Sequence, residues 1–489
     1  MDAAEPNGSS KSAFWWAWVL SVVPLLGFWT YGLFDLDEGF YAAVVAEMNR
    51  KGEWITPYFQ GQVWFEKPIL LYWLAKPAVM LFGEDIGPRL PSVLSMAGVF
   101  LVVGWWVKRR HSIRAAVLSM IALGSSLLVV AVGRMMLADA VLLLCLVCAF
   151  LTFYESLVGD PRWRLASAAF LGLSVLAKGP VGCAFFVLLV AWTYYRESSF
   201  RPAMRGLWIA GTGIFFAIVA SWYLPAWLEN RDVFVQKFLI EQNLGRFGGS
   251  DRAHAIGGIL NWLFYVPVLL VGMAPWSFFV PWAWPRRSKM AHGAESQYLA
   301  AWAVIVFVFF TVSGSKLVHY IVPAIPPLVI LVAVWFDSRW KSGTWRPMRW
   351  SLVWLSAVAV LAVFGSPLYY NYWDKERHRE LRSIARWINT HPGGLVVYQM
   401  GRRSADLGTG SAELQETSHP SISFYLHSPF RFAESLSELG ALRPMYVLTR
   451  KDRLSRSDME ELRAHGLEFE PTSEFSGFEG YVLFEAIHR

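Results

Sequence analysis

At 489 residues, with 55% hydrophobic and only 17% charged side chains, 26 Trp and 34 Phe, the chain is too apolar for a water-soluble protein. Its formal charge of +7 sits in short basic clusters between apolar runs, which is the pattern of membrane topology and not of a nucleic-acid surface. Cys145, Cys148 and Cys183 all lie inside apolar runs, with neither metal-ligand nor secretory-disulfide spacing, and read as buried core thiols.

The polar segment 1–11 is followed by the apolar run 14–33 without a small-residue cleavage site, so the chain opens on an uncleaved membrane helix. Next comes a stretch that packs Asp35, Asp37, Glu38, Glu47, Glu53 and Glu66 between two strongly apolar segments. Carboxylates concentrated there are expected to face water and serve chemistry at a membrane surface. Further spans of about 20 residues, the length needed to cross roughly 30 Å of hydrocarbon, are predicted at 88–107, 113–132, 138–157, 164–178, 180–195, 206–226, 258–284, 297–313, 317–336 and 351–370. The segment 66–82, interrupted by Lys76 and Pro77, is left out of the spans.

Charge orients these eleven spans. With the N-terminus inside, the inner segments (the N-terminal tail, 108–114, 159–164, 196–205, 285–292 and 337–350) carry 17 Lys/Arg against 5 Asp/Glu. The outer loops 34–68 and 227–257 carry 7 against 10, the asymmetry expected of a positive inner face. An odd span count leaves the residues after about 371 outside. There the pattern changes: Leu381, Ile384, Ala385, Trp387 and Ile388 recur at helical spacing, 395–398 and 445–449 read as short strands, 459–465 opens another helix, and 401–418 reads as a polar loop. The expected domains are 1–370 in the membrane and 371–489 as an extracytoplasmic α/β domain.

This topology gathers the polar motifs on the outer face. They are Asp37 to Lys67, Arg134 to Asp139, Lys178-Gly179-Pro180, Glu241 to Phe247 with His254, and Ser313 to Tyr320. Asp37-Glu38 with Tyr41, Gly52-Glu53-Trp54, Phe65-Glu66-Lys67-Pro68, the Lys-Gly-Pro turn, Glu241 with Arg246-Phe247, and Ser-x-Lys316 with Tyr320 before a Pro-rich helix form an ordered set. In that order the set resembles the large-loop membrane glycosyltransferases of the GT-C class, specifically the lipid A aminoarabinose transferase and protein mannosyltransferase-like family. The resemblance covers residues 14 to about 335 and reaches the C-terminal domain only loosely. Phe40 departs from it, standing where the family often has an arginine, and His254 lacks the aromatic residues that usually follow it.

The resemblance implies an all-α polytopic membrane domain of GT-C fold, with about 11–13 transmembrane helices and juxtamembrane helices, plus the C-terminal soluble α/β domain. It also implies transfer of a sugar from a polyprenyl-phosphate donor to a lipid, glycan or protein acceptor at the outer face of the cytoplasmic membrane. Such a site neutralises a phosphate leaving group with cations and orients or deprotonates the acceptor with a carboxylate. Asp37 and Asp139 are the candidate catalytic carboxylates; Lys67, Lys178, Arg246, Lys316 and Tyr320 are the candidate donor-phosphate residues. Four of them have a plainer alternative: Asp37 and Asp139 as helix N-caps, Lys67 and Lys178 as lysines anchored at the bilayer edge. The family's metal pair falls on Glu66 and His254 and implies a divalent ion at most; no cofactor is required. A transporter or flippase of lipid-linked sugars is the rival reading, but it would place ionisable groups at the bilayer midplane and not at helix ends. A non-enzymatic envelope scaffold does not account for the clustered carboxylates.

Overall fold

The structure is a computed structural model that describes all residues except 1–6, 36, 202–207, 246–259, 286–292, 340–345, 376, 392, 400–418, 428–429, 434, 452, 465 and 488–489. The chain divides into two compact units, one of residues 1–28, 65–81 and 86–365 and the other of 29–64, 82–85 and 366–489.

The first unit is helical, because apolar runs without water to bond their backbone must satisfy it internally. Among the described residues, six helices are each long and apolar enough to cross a membrane: Leu90–Arg110, Ala138–Val158, Ile209–Phe238, Gly293–Val312, Val318–Arg339 and Met348–Trp373. Two bent pairs bring the count to eight: Ile113–Gly124 with Leu127–Arg134, bent by 63°, and Asn261–Gly272 with Trp276–Ala283, bent by 110°. The chain is a multi-pass membrane protein. Predicted span 113–132 is thus a broken helix, and its cause is Ser125-Ser126. Ser125 Oγ donates to the Ile121 carbonyl at 2.6 Å and Ser126 Oγ to that of Ala122 at 2.7 Å, bonds that bend helices. Trp276 Nε1 (3.0 Å to Ser125 Oγ) and Trp354 Nε1 (3.1 Å to the Ser125 carbonyl) close off the polar groups at the break.

One sequence expectation is corrected here. The first helix, Asn7–Val22, ends in a single 3-10 turn at Val23–Leu25 and does not run to residue 33, because Pro24 and Gly27 interrupt it. Its end is tied down by Arg134, which donates to the carbonyls of Pro24 (3.1 Å) and Leu26, and by Arg89, which donates to that of Phe28 at 2.8 Å. The segment left out of the spans is a helix that starts at Leu70, runs through Pro77 with Lys76 buried and breaks at Gly83 (φ +73°), and it is not among the helices long and apolar enough to cross a membrane.

The helices carry polar chemistry at both ends. Glu155, near the end of Ala138–Val158, lies 4.0 Å from Arg109 Nη2. Close by in sequence, Arg110 Nε and His111 Nε2 reach Glu295 at 3.0 and 2.5 Å, and Ser112 Oγ donates to Asp337 at 2.7 Å. Arg109 to Ser112 belong to the predicted inner connection 108–114 and Asp337 opens the one at 337–350, whereas Glu155 and Glu295 lie on the helices beside those at 159–164 and 285–292. Asp139 is at the other end of the same 21-residue helix, a rise of about 24 Å from Glu155.

The second unit begins with the amphipathic helix Asp37–Lys51, followed by the hairpin β1 (Tyr58–Phe59) and β2 (Gln62–Val63). Several of the carboxylates expected to face water are buried and bonded to backbone instead. Glu38 accepts the Phe34 N–H at 3.0 Å, fixing the turn that leads into the helix, and Glu47 accepts the Gly61 N–H at 2.8 Å, fixing the hairpin. The Gly-Glu-Trp motif is a helix stop: Gly52 has φ +72°, its N–H bonds to Asn49 O at 3.2 Å, and the Glu53 N–H bonds to Met48 O at 2.9 Å. Phe40 stacks on Trp64 at 5.2 Å and is 5% exposed, so the residue standing where the family often has arginine is core.

The C-terminal part is α/β, as expected. Helix His378–Thr390 buries Leu381, Ile384, Ala385 and Ile388 completely. Strands β3 (Leu395–Tyr398), β4 (Phe430–Ala433), β5 (Tyr446–Arg450), β6 (Phe469–Pro471) and β7 (Tyr481–Ala486) form one mixed sheet in the order β4-β3-β5-β7-β6, parallel across β4-β3-β5 and antiparallel beyond. Helices Leu436–Leu442 and Arg456–Ala464 cover it with Leu439 and Leu462 over Val396, Val447 and Phe469. Only β3, β5 and the helices at 378–390 and 456–464 were predicted; β4, β6 and the helix Ser421–Tyr425 are too short to show a period. The predicted polar loop at 401–418 lies outside the described residues.

Candidate active site

Four separate helix ends of the first unit converge on one cavity of about 130 Å³. Its walls are Glu66, Lys67 and Pro68 before the helix Leu70–Ile86, Asp139 in the first turn of Ala138–Val158, Lys178 and Pro180 at the junction of Trp163–Lys178 with Val181–Arg196, and Ser313, Ser315 and Tyr320 after Gly293–Val312. Phe238, Phe309 and Phe310 supply an apolar side. Five of the residues singled out in the sequence, Glu66, Lys67, Asp139, Lys178 and Tyr320, therefore share one wall system although up to 254 positions separate them.

Asp139 is the electrostatic centre of the cavity and is 7% exposed. Lys178 Nζ lies 2.5 Å from its Oδ1 and also stands 4.3 Å above the Tyr320 ring, so the ammonium is held between a carboxylate and an aromatic face. His319 Nε2 stands 3.6 Å from Asp139 Oδ2. Lys178 can occupy this place because the chain reverses immediately after it: Gly179 has φ +78°, a left-handed conformation that a residue with a Cβ rarely adopts, and its N–H closes the helix on the Val175 carbonyl. The anchoring role read as an alternative for Lys178 is not what the side chain does. His319 is not among the residues singled out from the sequence; its signal there is its position beside Tyr320 in the Ser313 to Tyr320 motif.

Lys316 is placed differently from its expectation as a phosphate ligand. Its ammonium is buried and donates to the carbonyls of Phe310 (2.8 Å), Thr311 (2.8 Å) and Ser313 (2.9 Å), which uses all three protons to cap the helix Gly293–Val312. Burial holds that ammonium below the usual lysine range. In this geometry Lys316 shapes the loop that carries Ser313, Ser315 and Tyr320 and offers the cavity no donor.

Asp37 belongs to the second unit, where it is the first residue of Asp37–Lys51. It is exposed, while its neighbour Glu38 is buried and bonded to the Phe34 N–H in the turn ahead of the helix. Arg246 and His254 lie outside the described residues. Glu66, the other half of the expected metal pair, lines the cavity beside Lys67, an oxygen donor suited to a hard or borderline divalent ion.

Next to this polar cavity is an apolar one. A groove of about 990 Å³ runs along Leu127, Leu128, Ala131, Phe264, Val271 and Val318, the last only two residues before Tyr320.

Comparison with known proteins agrees with this architecture. Residues 66–224 match the family described as dolichyl-phosphate-mannose-protein mannosyltransferase. The chain is 28% identical over 366 residues to an undecaprenyl phosphate-alpha-4-amino-4-deoxy-L-arabinose arabinosyl transferase of Aeromonas salmonicida, covering 70% of this chain and 64% of that protein. It is 30% identical over 379 residues to the transferase 1 of the same description from Pseudomonas fluorescens, covering 72% and 65%. The chain thus spans a little under two thirds of the length of these relatives. Its fold superposes on the crystal structure of ArnT from Cupriavidus metallidurans bound to undecaprenyl phosphate with a TM-score of 0.76 at 20% identity, over 98% of both chains. The chain has the GT-C membrane fold and is similar in sequence to the aminoarabinose transferases and, over residues 66–224, to the protein mannosyltransferase family.

Proposed function

We propose that the chain is a glycosyltransferase that moves a sugar from a polyprenyl-phosphate donor to a lipid, glycan or protein acceptor at the outer face of the cytoplasmic membrane. The observation that carries this reading is the cavity in which Lys67, Lys178 and Asp139 meet at helix ends beside a long apolar groove. A phosphate esterified to an isoprenoid needs both, cations at the water boundary and an apolar channel for the tail. In the reaction the bond between the anomeric carbon and the phosphate oxygen breaks, and an acceptor oxygen bonds to that carbon. The acceptor proton passes to a carboxylate, and the developing phosphate charge is met by Lys67 and Lys178. Asp139 positions Lys178, which leaves Asp37 as the proposed base, on its exposure and its place in the motif. A divalent ion on Glu66 and His254 would add a further positive charge against the phosphate.

The relatives' names make an aminoarabinose on undecaprenyl phosphate the first donor to try, and the family resemblance makes lipid A the first acceptor. The placement of ionisable groups at helix ends supports an enzyme over a flippase, which needs them near the midplane. The deciding experiment is an assay with purified protein in liposomes and radiolabelled donor. Release of undecaprenyl phosphate with the label on the acceptor is the expected result; intact donor crossing to the other leaflet without cleavage would establish the transporter instead.

The outward orientation of the cavity and the C-terminal domain rests on the 17-to-5 inner charge bias. A reporter active only in the cytoplasm, fused after His488, is expected to be silent, and strong activity would invert the arrangement.

A further inference from the structure

Asp35, His378 and His419 form a second constellation, within the second unit and apart from the cavity. One carboxylate oxygen and two imidazole nitrogens lie within 4.8 Å of one another, and the three side chains are only 4%, 4% and 3% exposed. Asp35 comes from the turn before Asp37–Lys51, His378 from the head of His378–Thr390, 343 residues later, and His419 from just ahead of Ser421–Tyr425.

The spacing is that of ligands around a common centre. His378 Nε2 stands 3.6 Å and His419 Nδ1 3.8 Å from the same Asp35 Oδ2, beyond hydrogen-bond reach. Donors about 2.1 Å from one tetrahedral zinc-class ion stand about 3.4 Å apart, so a small inward movement completes the shell.

The surrounding residues support the same reading. His378 Nδ1 lies 2.7 Å from Asp374 Oδ2, which also accepts the His378 N–H at 2.9 Å; this carboxylate keeps the ring proton on Nδ1 and turns the Nε2 lone pair toward Asp35. That lone pair accepts the Asp35 N–H at 3.0 Å, the bond a metal would displace. Asp35 is itself oriented by Ser421, whose N–H and Oγ donate to its two oxygens at 2.9 and 2.6 Å. Tyr481 Oη borders the group 3.1 Å from His419 Nδ1. Asp35 and Asp374 put two buried carboxylates against the two imidazoles, a donor set whose negative charge a dication would offset.

We propose that Asp35, His378 and His419 bind one borderline divalent transition ion, zinc by the character of the ligands, as a structural clip. The clip joins the turn that leads into the Asp37 helix to the head of the first helix of the C-terminal domain, closing a very long loop with one coordination bond from each segment. It is distinct from the Glu66 and His254 pair, since Glu66 belongs to the first unit.

The test uses the full-length protein in detergent, carrying Glu66→Gln and His254→Gln so that the other pair contributes nothing, stripped with chelator and dialysed against buffered zinc. Elemental mass spectrometry is expected to find one zinc per chain and calorimetry a raised melting temperature; both are lost on adding His378→Gln or His419→Gln. Retention of the zinc by both of these variants, or none in the parent, overturns the proposal. Should the histidine variants fail to fold, cobalt in the parent decides: X-ray absorption showing two imidazoles in the shell upholds the site, and an oxygen-only shell ends it.

Discussion

The ammonium of Lys178 lies 2.5 Å from Asp139 Oδ1, with side chains 15% and 8% exposed, at the meeting point of two helix ends. A pair this dry is costly to break on one side, because the remaining charge is left without compensation, while replacing both partners by apolar groups of similar size removes the burden. Lys178 therefore does two jobs that a double variant separates, holding the helix junction and presenting positive charge to the cavity.

Lys178→Met is expected to lower stability by on the order of 3 kcal/mol and to lower turnover as well. Combining it with Asp139→Leu is expected to restore the melting temperature but not the transfer rate. Melting curves and single-turnover transfer on the two single variants and the double variant check this. Recovery of activity along with stability would reduce the pair to a structural tie.

Lys316 makes the opposite case. Its three protons are spent on the carbonyls of Phe310, Thr311 and Ser313. Lys316→Met is expected to cost on the order of 2–3 kcal/mol, the scale of charge-assisted hydrogen bonds at a helix C-terminus. Affinity for undecaprenyl phosphate, measured below the lowered melting temperature, is expected to stay within about twofold of the unsubstituted protein. A normal melting temperature with weakened phosphate binding would return Lys316 to the donor site.

The contrast between these two lysines marks how far the sequence could be read. Apolar runs predict the spans because hydrocarbon admits few alternatives, and Lys67, Asp139, Lys178 and Tyr320 were legible because each ends or flanks such a run at a motif. The partner of Lys316 was not legible, since it is a set of backbone carbonyls exposed by the end of a helix, and carbonyls leave no trace in residue type. Glu38 and Glu47 misled for the same reason: each answers a backbone N–H in the turn or hairpin beside it. The Ser125-Ser126 break needed the tryptophans at 276 and 354 to be seen, and the Asp35, His378 and His419 group is assembled from segments whose distance in sequence no spacing rule bridges.

Asp37 provides the sharpest division between chemistry and architecture. Its carboxylate is exposed at the first position of Asp37–Lys51, and the Phe34 N–H in the turn ahead of the helix is taken by Glu38 at 3.0 Å. Changing Asp37 to Asn keeps the size and the compatibility with a helix start while removing charge and basicity. If Asp37 is the base, transfer at saturating donor is expected to fall by about 10²–10⁴-fold, the usual contribution of a positioned proton acceptor, with the melting temperature and donor affinity nearly unchanged. Glu38→Ala is expected to behave in reverse, losing about 1 kcal/mol of stability with its hydrogen bond to the Phe34 N–H and little of the intrinsic rate in the fraction that stays folded. Transfer kinetics and thermal melts on the two variants side by side make the comparison. Near-normal transfer by Asp37→Asn would move the proton acceptor into the cavity, where Glu66 is the carboxylate beside Lys67 and Asp139 is already committed to Lys178.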